Sequence, residues 1–597
     1  MKSTQKKRLQ ALVLLVAVVI AVNLIGQFVF GRFDLTSDKR YTLSDVSLEL
    51  VENVTDPLTV KVFLDGTPPG EFQRLETETR QLLEEFQARN SNIRVEFVNP
   101  IGEGQDDEAK RDLIFDIFHL SNRGVSPEIE KQVRNSINKI TDLDKALFDT
   151  FYGNGMKPAG VTVTRRGKKT EAIIFPWAII NYRGHRVKVP LLKNVMTATT
   201  QENVNSSVQH LEYAFANALQ TATARNEKKI AVIKGNAEID DVLMADLLRQ
   251  VRDQYHIGTF TLDSVAKRPK ESADYLKKNY DLAIIAKPKE RFSDEEIQVL
   301  DDYVMHGGRT LWLVDPVHME MDSLTKGPAL AFPIDLNLNN LFFKYGVRIQ
   351  PDLIKDEYAA EIKLATGDEG SGARFSSYIW RYSPVMLPTT DNPIVKNLEA
   401  VRFDFASPIE LLKNDVKKTV LLQSSPFSKA IGVPAQISFE DVAQETNPKE
   451  YEGKGNLPTA VLLEGRFHSI YENRVLPFDE KDHVTVGKST RMIVISDGDV
   501  LRNQVDNEGR PLELGFDRWT GKFYGNKDFM MNCVNYLLDD NGLITLRSKD
   551  QSLPVTDLKK VEAEYTKVQI ITVVMPLAVL ALFALGFLLV RRRLYAR

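Results

Sequence analysis

Apolar positions in this chain follow four patterns, and each predicts a different element. Near either end lies a long run without charge: LQALVLLVAVVIAVNLIGQFVF (Leu9 to Phe30) and VQIITVVMPLAVLALFALGFLLV (Val568 to Val590). As helices these 22 and 23 residues reach ~33–35 Å, enough to cross a hydrocarbon core of about 30 Å. A second pattern is alternation with period 2, in LTVKVFL (Leu58 to Leu64) and IRVEFV (Ile93 to Val98). Between those stretches Phe72, Leu75, Thr79, Leu82, Leu83 and Phe86 share one helical face. The order predicts a right-handed βαβ crossover. Helical spacing recurs in SDVSLELVENV (Ser44 to Val54), with Ser44 as N-cap, in a polar helix near Asp106 to Leu120, and in Glu202 to Ala222. Gly160 to Leu192 reads as three extended runs with turns at Arg166-Gly167-Lys168 and Arg183-Gly184-His185, a meander.

The fourth pattern is the short continuous apolar run, as in Ile230–Ile233, Leu282–Ala286, Thr310–Val314 and Met492–Ile495. Such runs suit parallel strands covered on both faces. Helical stripes separate them: Ile239, Val242, Leu243, Leu247, Leu248 and Val251, then Ile297, Leu300 and Val304. The second stripe opens on the capping box Ser293-Asp294-Glu295-Glu296 and closes at Gly307-Gly308. The expected fold is α/β: an open, doubly wound parallel sheet. A large insertion from Pro316 to about Arg491 carries its own strands, including Thr419–Leu422 and Thr459–Leu463. The helix Lys527–Leu538 and a final strand, LITLRS, complete this unit.

The domain expectation follows. Residues 1–8 form a cytoplasmic tail, 9–30 a membrane helix, and 31–225 an N-terminal βαβ-type α+β domain. Residues 226–550 form the doubly wound domain (insertion about 316–491), 551–567 a linker, 568–590 a second membrane helix and 591–597 a tail. The first apolar run continues past Val22 with no small-residue cleavage pattern, so it reads as an anchor that is kept rather than a signal peptide. Lys2, Lys6, Lys7 and Arg8 precede it, and Arg591, Arg592 and Arg593 follow the second run. Lys and Arg mark the cytoplasmic side, which puts both termini inside and the large part outside, a two-span membrane protein with a periplasmic body. Setting aside four basic residues in the first eight and four in the last seven leaves 69 of the 77 against 81 acidic residues. That surplus of about 12 negative charges disfavours nucleic acid as a partner. Within the first run Asn23 and Gln27, at i, i+4 spacing, are candidates for hydrogen bonds to a neighbouring helix, or for the outer headgroup layer. In the second run Pro576 removes a helical hydrogen bond and predicts a kink.

Chemistry is sparse. The only cysteine, Cys533, sits in FMMNCVNYLL and reads as a small core residue; a single cysteine also rules out an internal disulfide. GKST (Gly487 to Thr490) resembles the end of a phosphate-binding loop, but the motif's first glycine is replaced by Asp482 and the segment precedes its strand. There is no G-x-S-x-G elbow, no H-E-x-x-H pair, and the eight histidines are dispersed. No catalytic constellation, metal set or cofactor motif is expected. Ligands of doubly wound sheets bind at the carboxyl ends of strands, which here carry Asn236, Asp315, Asp497 and Asp499. These four are the candidate ligand or partner surface, with Trp312, Trp519 or Tyr524 as walls. The carboxylates also suit a cation in principle, although Asp after a strand is an ordinary turn residue.

Three stretches carry a resemblance: FDLTSDKRYTLSDVS (Phe33 to Ser47), YDLAIIAKPKERFSDEEIQVLDDYVMHGGRTLWLVDPV (Tyr280 to Val317), and ISDGDVLRNQV with GFDRWTGKFYGNKDFMMNCVNYLL (Ile495 to Leu538). They resemble the GldG family of gliding-motility ABC-transporter auxiliary proteins. The α/β unit is similar to a domain of the eukaryotic intraflagellar transport protein fifty-two and, more distantly, to glutamine-amidotransferase-like sheets. The amidotransferase cysteine has no counterpart at these strand ends, which favours a scaffold over an enzyme. The resemblance implies an ABC permease and its cytoplasmic ATPase as partners, in Bacteroidota, with links to gliding motility and secretion. The expected function is therefore a non-enzymatic auxiliary subunit. A periplasmic solute- or glycan-binding receptor is the alternative, and a cryptic hydrolase a more remote one.

Overall fold

The computed structural model describes residues 42–66, 70–101, 106–121, 125–165, 168–193, 200–224, 228–262, 267–366, 374–480, 482–548 and 564–595. The first predicted span, with Asn23 and Gln27, lies outside the described residues. The chain forms two compact units, Met1–Lys549 and Asp550–Arg597.

The first unit opens with helix α1 (Asp45–Glu52), whose N-cap Ser44 accepts the backbone N–H of Ser47 at 3.2 Å. Strand β1 (Leu58–Val62), helix α2 (Gly70–Arg89) and strand β2 (Ile93–Phe97) follow as the spacing predicts, and the two strands pair in parallel. Helices α3 (Asp107–Ser121), α4 (Pro127–Ile137) and α5 (Leu143–Gly153) come next. The predicted three-run meander is four strands. Among the described residues, strands β3 (Ala159–Arg165) and β4 (Lys168–Ile174) form a two-stranded sheet, while β5 (Trp177–Tyr182) and β6 (His185–Pro190) join a sheet of order β2-β1-β5-β6. Period-2 alternation splits that sheet's side chains between two cores. Ala178 and Ile180 face the core containing Phe72 and Leu75 of α2 and Leu211 and Phe215 of helix α6 (Thr200–Thr223). Ile179 faces the opposite core with Ile117 of α3 and Phe151 of α5.

The second sheet starts with β7 (Lys229–Lys234), helix α7 (Ala245–Arg252), β8 (His256–Thr261), helix α8 (Pro269–Asn279), β9 (Leu282–Ala286), helix α9 (Asp294–Met305) and β10 (Arg309–Leu313). The capping box at Ser293 and Glu296 is present. The inserted region contributes β11 (Ala359–Thr366), β12 (Arg374–Pro388), β13 (Lys417–Gln423) and β14 (Pro458–His468), and the return strand is β15 (Val486–Ile495). All belong to one ten-stranded sheet, ordered β11-β12-β13-β14-β15-β10-β9-β7-β8, with Val401–Arg402 paired to β12. Strands β8, β7, β9, β10 and β15 run parallel, and from β15 through β11 each pair is antiparallel. The sheet is thus mixed rather than wholly parallel, because four strands of the insertion extend it, while others form small sheets of their own, among them Val347–Ile349 with Ile409–Leu411 and Asp352–Asp356 with Ser428–Gly432.

Both faces of the parallel half are covered. Ile230, Val232, Leu282, Ile284, Leu311 and Ile493 face a core with Leu247 and Val251 of α7 and Phe529, Cys533 and Leu537 of helix α10 (Asn526–Leu538). Their neighbours Ala231, Ile233, Ala283, Ile285, Trp312 and Val494 face another core with Leu276 of α8 and Ile297 and Leu300 of α9. Cys533 is buried as expected, and burial pushes its thiol well above the ordinary value. The GKST segment lies inside β15, with Gly487 against the backbone of Met305, so it forms no phosphate loop.

The predicted final strand is corrected. LITLRS is a 3₁₀ turn, Leu543–Ser548. The Asp539 carboxylate accepts the backbone N–H groups of Asn541, Leu543 and Ile544, each at 3.1 Å, and this folds the segment into a turn.

In the second unit Tyr565–Arg593 is one helical segment long and apolar enough to cross a membrane, with no part of it buried. Five π-helical residues, Ile570–Val574, lead into helix α11 (Met575–Tyr595). The change of register falls just before Pro576, which has no N–H to continue an α-helical ladder. Leu582 and Phe583 are 72% and 75% exposed, a surface stable only against lipid or other apolar helices.

Candidate functional site

The carboxyl ends of β9, β10 and β15 converge, and continuous apolar strands deliver a charged residue at each end. Lys287 follows β9, Asp315 stands two residues after β10, and Asp497 and Asp499 follow β15. The Lys287 ammonium lies 2.6 Å from Asp499 Oδ2, 3.3 Å from Asp315 Oδ2 and 3.4 Å from Glu320 Oε1. Arg502 closes the outer side, 3.2 Å from Glu320 and 3.5 Å from Asp499. Asp497 is fully buried; Oδ2 accepts the Asp404 backbone N–H at 2.6 Å and Oδ1 that of Asp499 at 2.7 Å. Asp404 in turn pairs with Arg402 at 3.1 Å.

Backbone geometry holds the lysine in place. Its φ is +52°, a left-handed conformation that costs a residue with a Cβ about 1–2 kcal/mol. The Lys287 N–H donates to the Leu313 carbonyl at 2.9 Å. A Cβ on Gly498 would meet the Lys287 Cβ at 2.5 Å, so glycine is required there by close approach. Such strain persists only where the surroundings over-determine it.

Charge within the cluster is closed. Burial disfavours the Lys287 ammonium, but Asp499, Asp315 and Glu320 outweigh it and hold its pKa above the ordinary value. Burial likewise pushes Asp497 well above the usual carboxylate range, with Asp315, Asp499 and Asp404 adding to the rise. A protonated amine has no lone pair for attack or for Schiff-base formation, so Lys287 is a counter-ion. Carboxylate oxygens of Asp315, Asp497 and Asp499 come within 4.8 Å of one another, the spacing of a cation site. The ammonium of Lys287 already bridges two of these residues, and a divalent cation would compete with it for the same oxygens.

Three of the four predicted residues therefore meet, and Asn236 does not join them. Its amide donates to Glu296 Oε2 at 3.2 Å, and its backbone carbonyl accepts the N–H groups of Lys289 and Glu290. The expected aromatic walls are corrected too. Trp312 is fully buried against Phe342, ring centroids 5.2 Å apart, because its strand is covered on both faces. Tyr524 is buried, and Trp519 is 56% exposed under the Arg518 guanidinium. From the sequence Lys287 is placed at a strand end without being a candidate, and Glu320 and Arg502 are not singled out. A lysine directly after LAIIA was the available signal; Glu320 and Arg502 offered none. Two open clefts among the described residues lie elsewhere. One of about 180 Å³ is lined by Asn217, Gln254, Tyr255 and Asn535, and one of about 220 Å³ by Lys277, His306 and Arg309.

A mixed α/β body with a packed charge cluster at its strand ends, and in a second unit an apolar helix long enough to cross a membrane, define a membrane-associated α/β protein. The model of a family described as "ABC-type uncharacterized transport system" matches residues 227–533, just over half of the chain, and the chain belongs to this family of ABC transporter auxiliary proteins. A domain of unknown function (DUF7088) matches residues 37–181. No curated protein matches the chain. Among solved structures, the "mmIFT52 N-terminal domain" is similar at 13% identity and a TM-score of 0.31, covering 52% of this chain and 99% of that one.

Proposed function

We propose that the chain is a non-enzymatic auxiliary subunit of an ABC transporter linked to gliding motility. It pairs with a permease, and through it with a cytoplasmic ATPase, by two membrane helices. Its body, whose parallel half is read as doubly wound, stands in the periplasm and presents surfaces to motility or secretion proteins, while both tails lie in the cytoplasm at the inner membrane. The observation that carries this reading is the family match over the body, joined in one chain to a fully exposed apolar helix that ends on Arg591, Arg592 and Arg593. The closed charge cluster at the strand ends supports a scaffold, since Lys287 is held protonated and Asp497 is sealed from solvent. Purification of the full chain in mild detergent, followed by mass spectrometry, tests the proposal. Recovery of a permease and an ATPase is expected. A folded chain that repeatedly brings down neither contradicts it.

A further inference from the structure

Helix α6 carries Ser207, His210 and Tyr213 at three-residue spacing, so they line one face. Lys193 is tied to this face, its backbone N–H donating to Ser207 Oγ at 2.8 Å. Its ammonium donates to the Asn397 carbonyl at 2.7 Å and stands 3.7 Å from Asp528. From the other side the 3₁₀ turn Leu543–Ser548 brings Arg547 over the Tyr213 ring, 5.4 Å from its centroid. Leu543, Ile544 and Leu546 pack there against Tyr213 and Ala216.

Arg547 is only 6% exposed, yet its Nε and Nη2 have no hydrogen-bond partner, and it makes no ion pair among the described residues. The Nε2 of His210 is buried and unpartnered in the same way. Burial, then the fields of Arg547 and Lys193, hold His210 well below its ordinary pKa; burial also lowers Lys193, partly offset by Asp528. Lys193 has the carboxylates of Asp528 and Glu399 to offset its charge, so the unmet demand lies at Arg547 and His210. An unpaired buried guanidinium costs several kcal/mol, and such charges are retained where something pairs with them. The unfilled donors are also specific. Nε and Nη2 are the two parallel N–H groups of the guanidinium fork, the pair that grips two oxygens of one carboxylate or phosphate.

We infer that Lys193, His210 and Arg547 form a binding site for an oxyanion, a phosphate or carboxylate group. Two oxygens sit on Nε and Nη2 of Arg547, and Lys193 and His210 Nε2 supply further N–H donors. The occupied site fastens the turn that ends the body to α6 by charge as well as by apolar contact. Because Arg547 precedes the apolar helix by 18 residues, the oxyanion acts where the chain leaves the body.

The test uses the full chain in phosphatidylcholine nanodiscs in chloride buffer at constant ionic strength. Inorganic phosphate and acetate are titrated separately while thermal unfolding is followed. A parallel sample in phosphatidylglycerol nanodiscs, without added oxyanion, distinguishes a lipid headgroup from a free solute. A saturable rise in Tm in at least one arm is expected. Arg547→Gln and Lys193→Gln should each weaken it about tenfold or more. Arg547→Lys should weaken it as well, since an ammonium keeps the charge but loses the fork; it carries the reading if Arg547→Gln does not fold. The proposal is overturned if the wild type shows no saturable rise in any arm, or if all three variants respond as the wild type does.

Discussion

Lys287 and Arg547 are both buried cations, and they sit in opposite electrostatic situations. Around Lys287 three carboxylates lie within 3.4 Å, and the neighbouring Asp497 spends both oxygens on backbone N–H groups. Around Arg547 two donors have no partner, and its neighbours Lys193 and His210 are basic too. A charge cluster that closes on itself holds strand ends together; one that stays open is suited to hold a ligand. Acidic residues at the strand ends were the conspicuous candidates, yet theirs is the closed cluster.

The largest effect expected from breaking this contrast is at Lys287. Lys287→Met leaves Asp315, Asp499 and Glu320 without their shared cation and should cost about 3–5 kcal/mol in urea unfolding. A loss below about 1 kcal/mol would mean that the carboxylates find other partners. Next is Gly498→Ala, where the new methyl meets the Lys287 Cβ at 2.5 Å. It should cost about 1–3 kcal/mol, with less than 0.5, roughly, indicating a loop that yields.

Two histidines sharpen the same comparison through pH. The Asp302 carboxylate, 3.2 Å from His306 Nδ1, raises the histidine's pKa together with the Asp302 backbone carbonyl at 2.8 Å, burial and Lys277 opposing. Raised in the folded state, this group contributes stability that is complete below about pH 6.5 and lost as pH rises through the folded value. His210, facing Tyr213, Lys193 and Arg547, is lowered, so its contribution is lost as pH falls below about 6.5. NMR titration should find His306 above and His210 below the ordinary value. A His210 that titrates normally would mean that solvent or an anion already reaches it. The smallest effect expected is at Cys533, which should resist alkylation until the body unfolds, because burial keeps it a thiol.

How much of this was legible in the sequence depends on whether a local pattern carried it. Continuous runs such as LAIIA became strands because both faces are buried, and those strands delivered Asp315, Asp497 and Asp499 to one place. Strand β8, HIGTFT, went unread because it is an edge strand that is largely open and has no apolar run. Helix α4 is rich in charge, which hid its buried Ile137, whereas α5 went unread although its buried Leu143, Leu147 and Phe151 recur every four residues. Pairing of β14 with β15 and β13 is non-local, so nothing in either strand announced that the insertion extends the sheet. LITLRS alternates like a strand, and only the Asp539 carboxylate, outside the segment, turns it. Arg547 was hidden by that misreading, since an exposed strand arginine asks for no partner.

The most direct measurement compares unfolding free energies of the full chain and its Arg547→Gln and Lys287→Met variants in chloride buffer free of phosphate, carboxylate and anionic lipid. An open site predicts that Arg547→Gln is as stable as the wild type within about 1 kcal/mol, or more stable, because an unpaired buried charge has been removed. Lys287→Met falls by about 3–5 kcal/mol under the same conditions. If Arg547→Gln loses as much as Lys287→Met, the guanidinium is already paired within the chain, and the contrast between the two clusters is wrong.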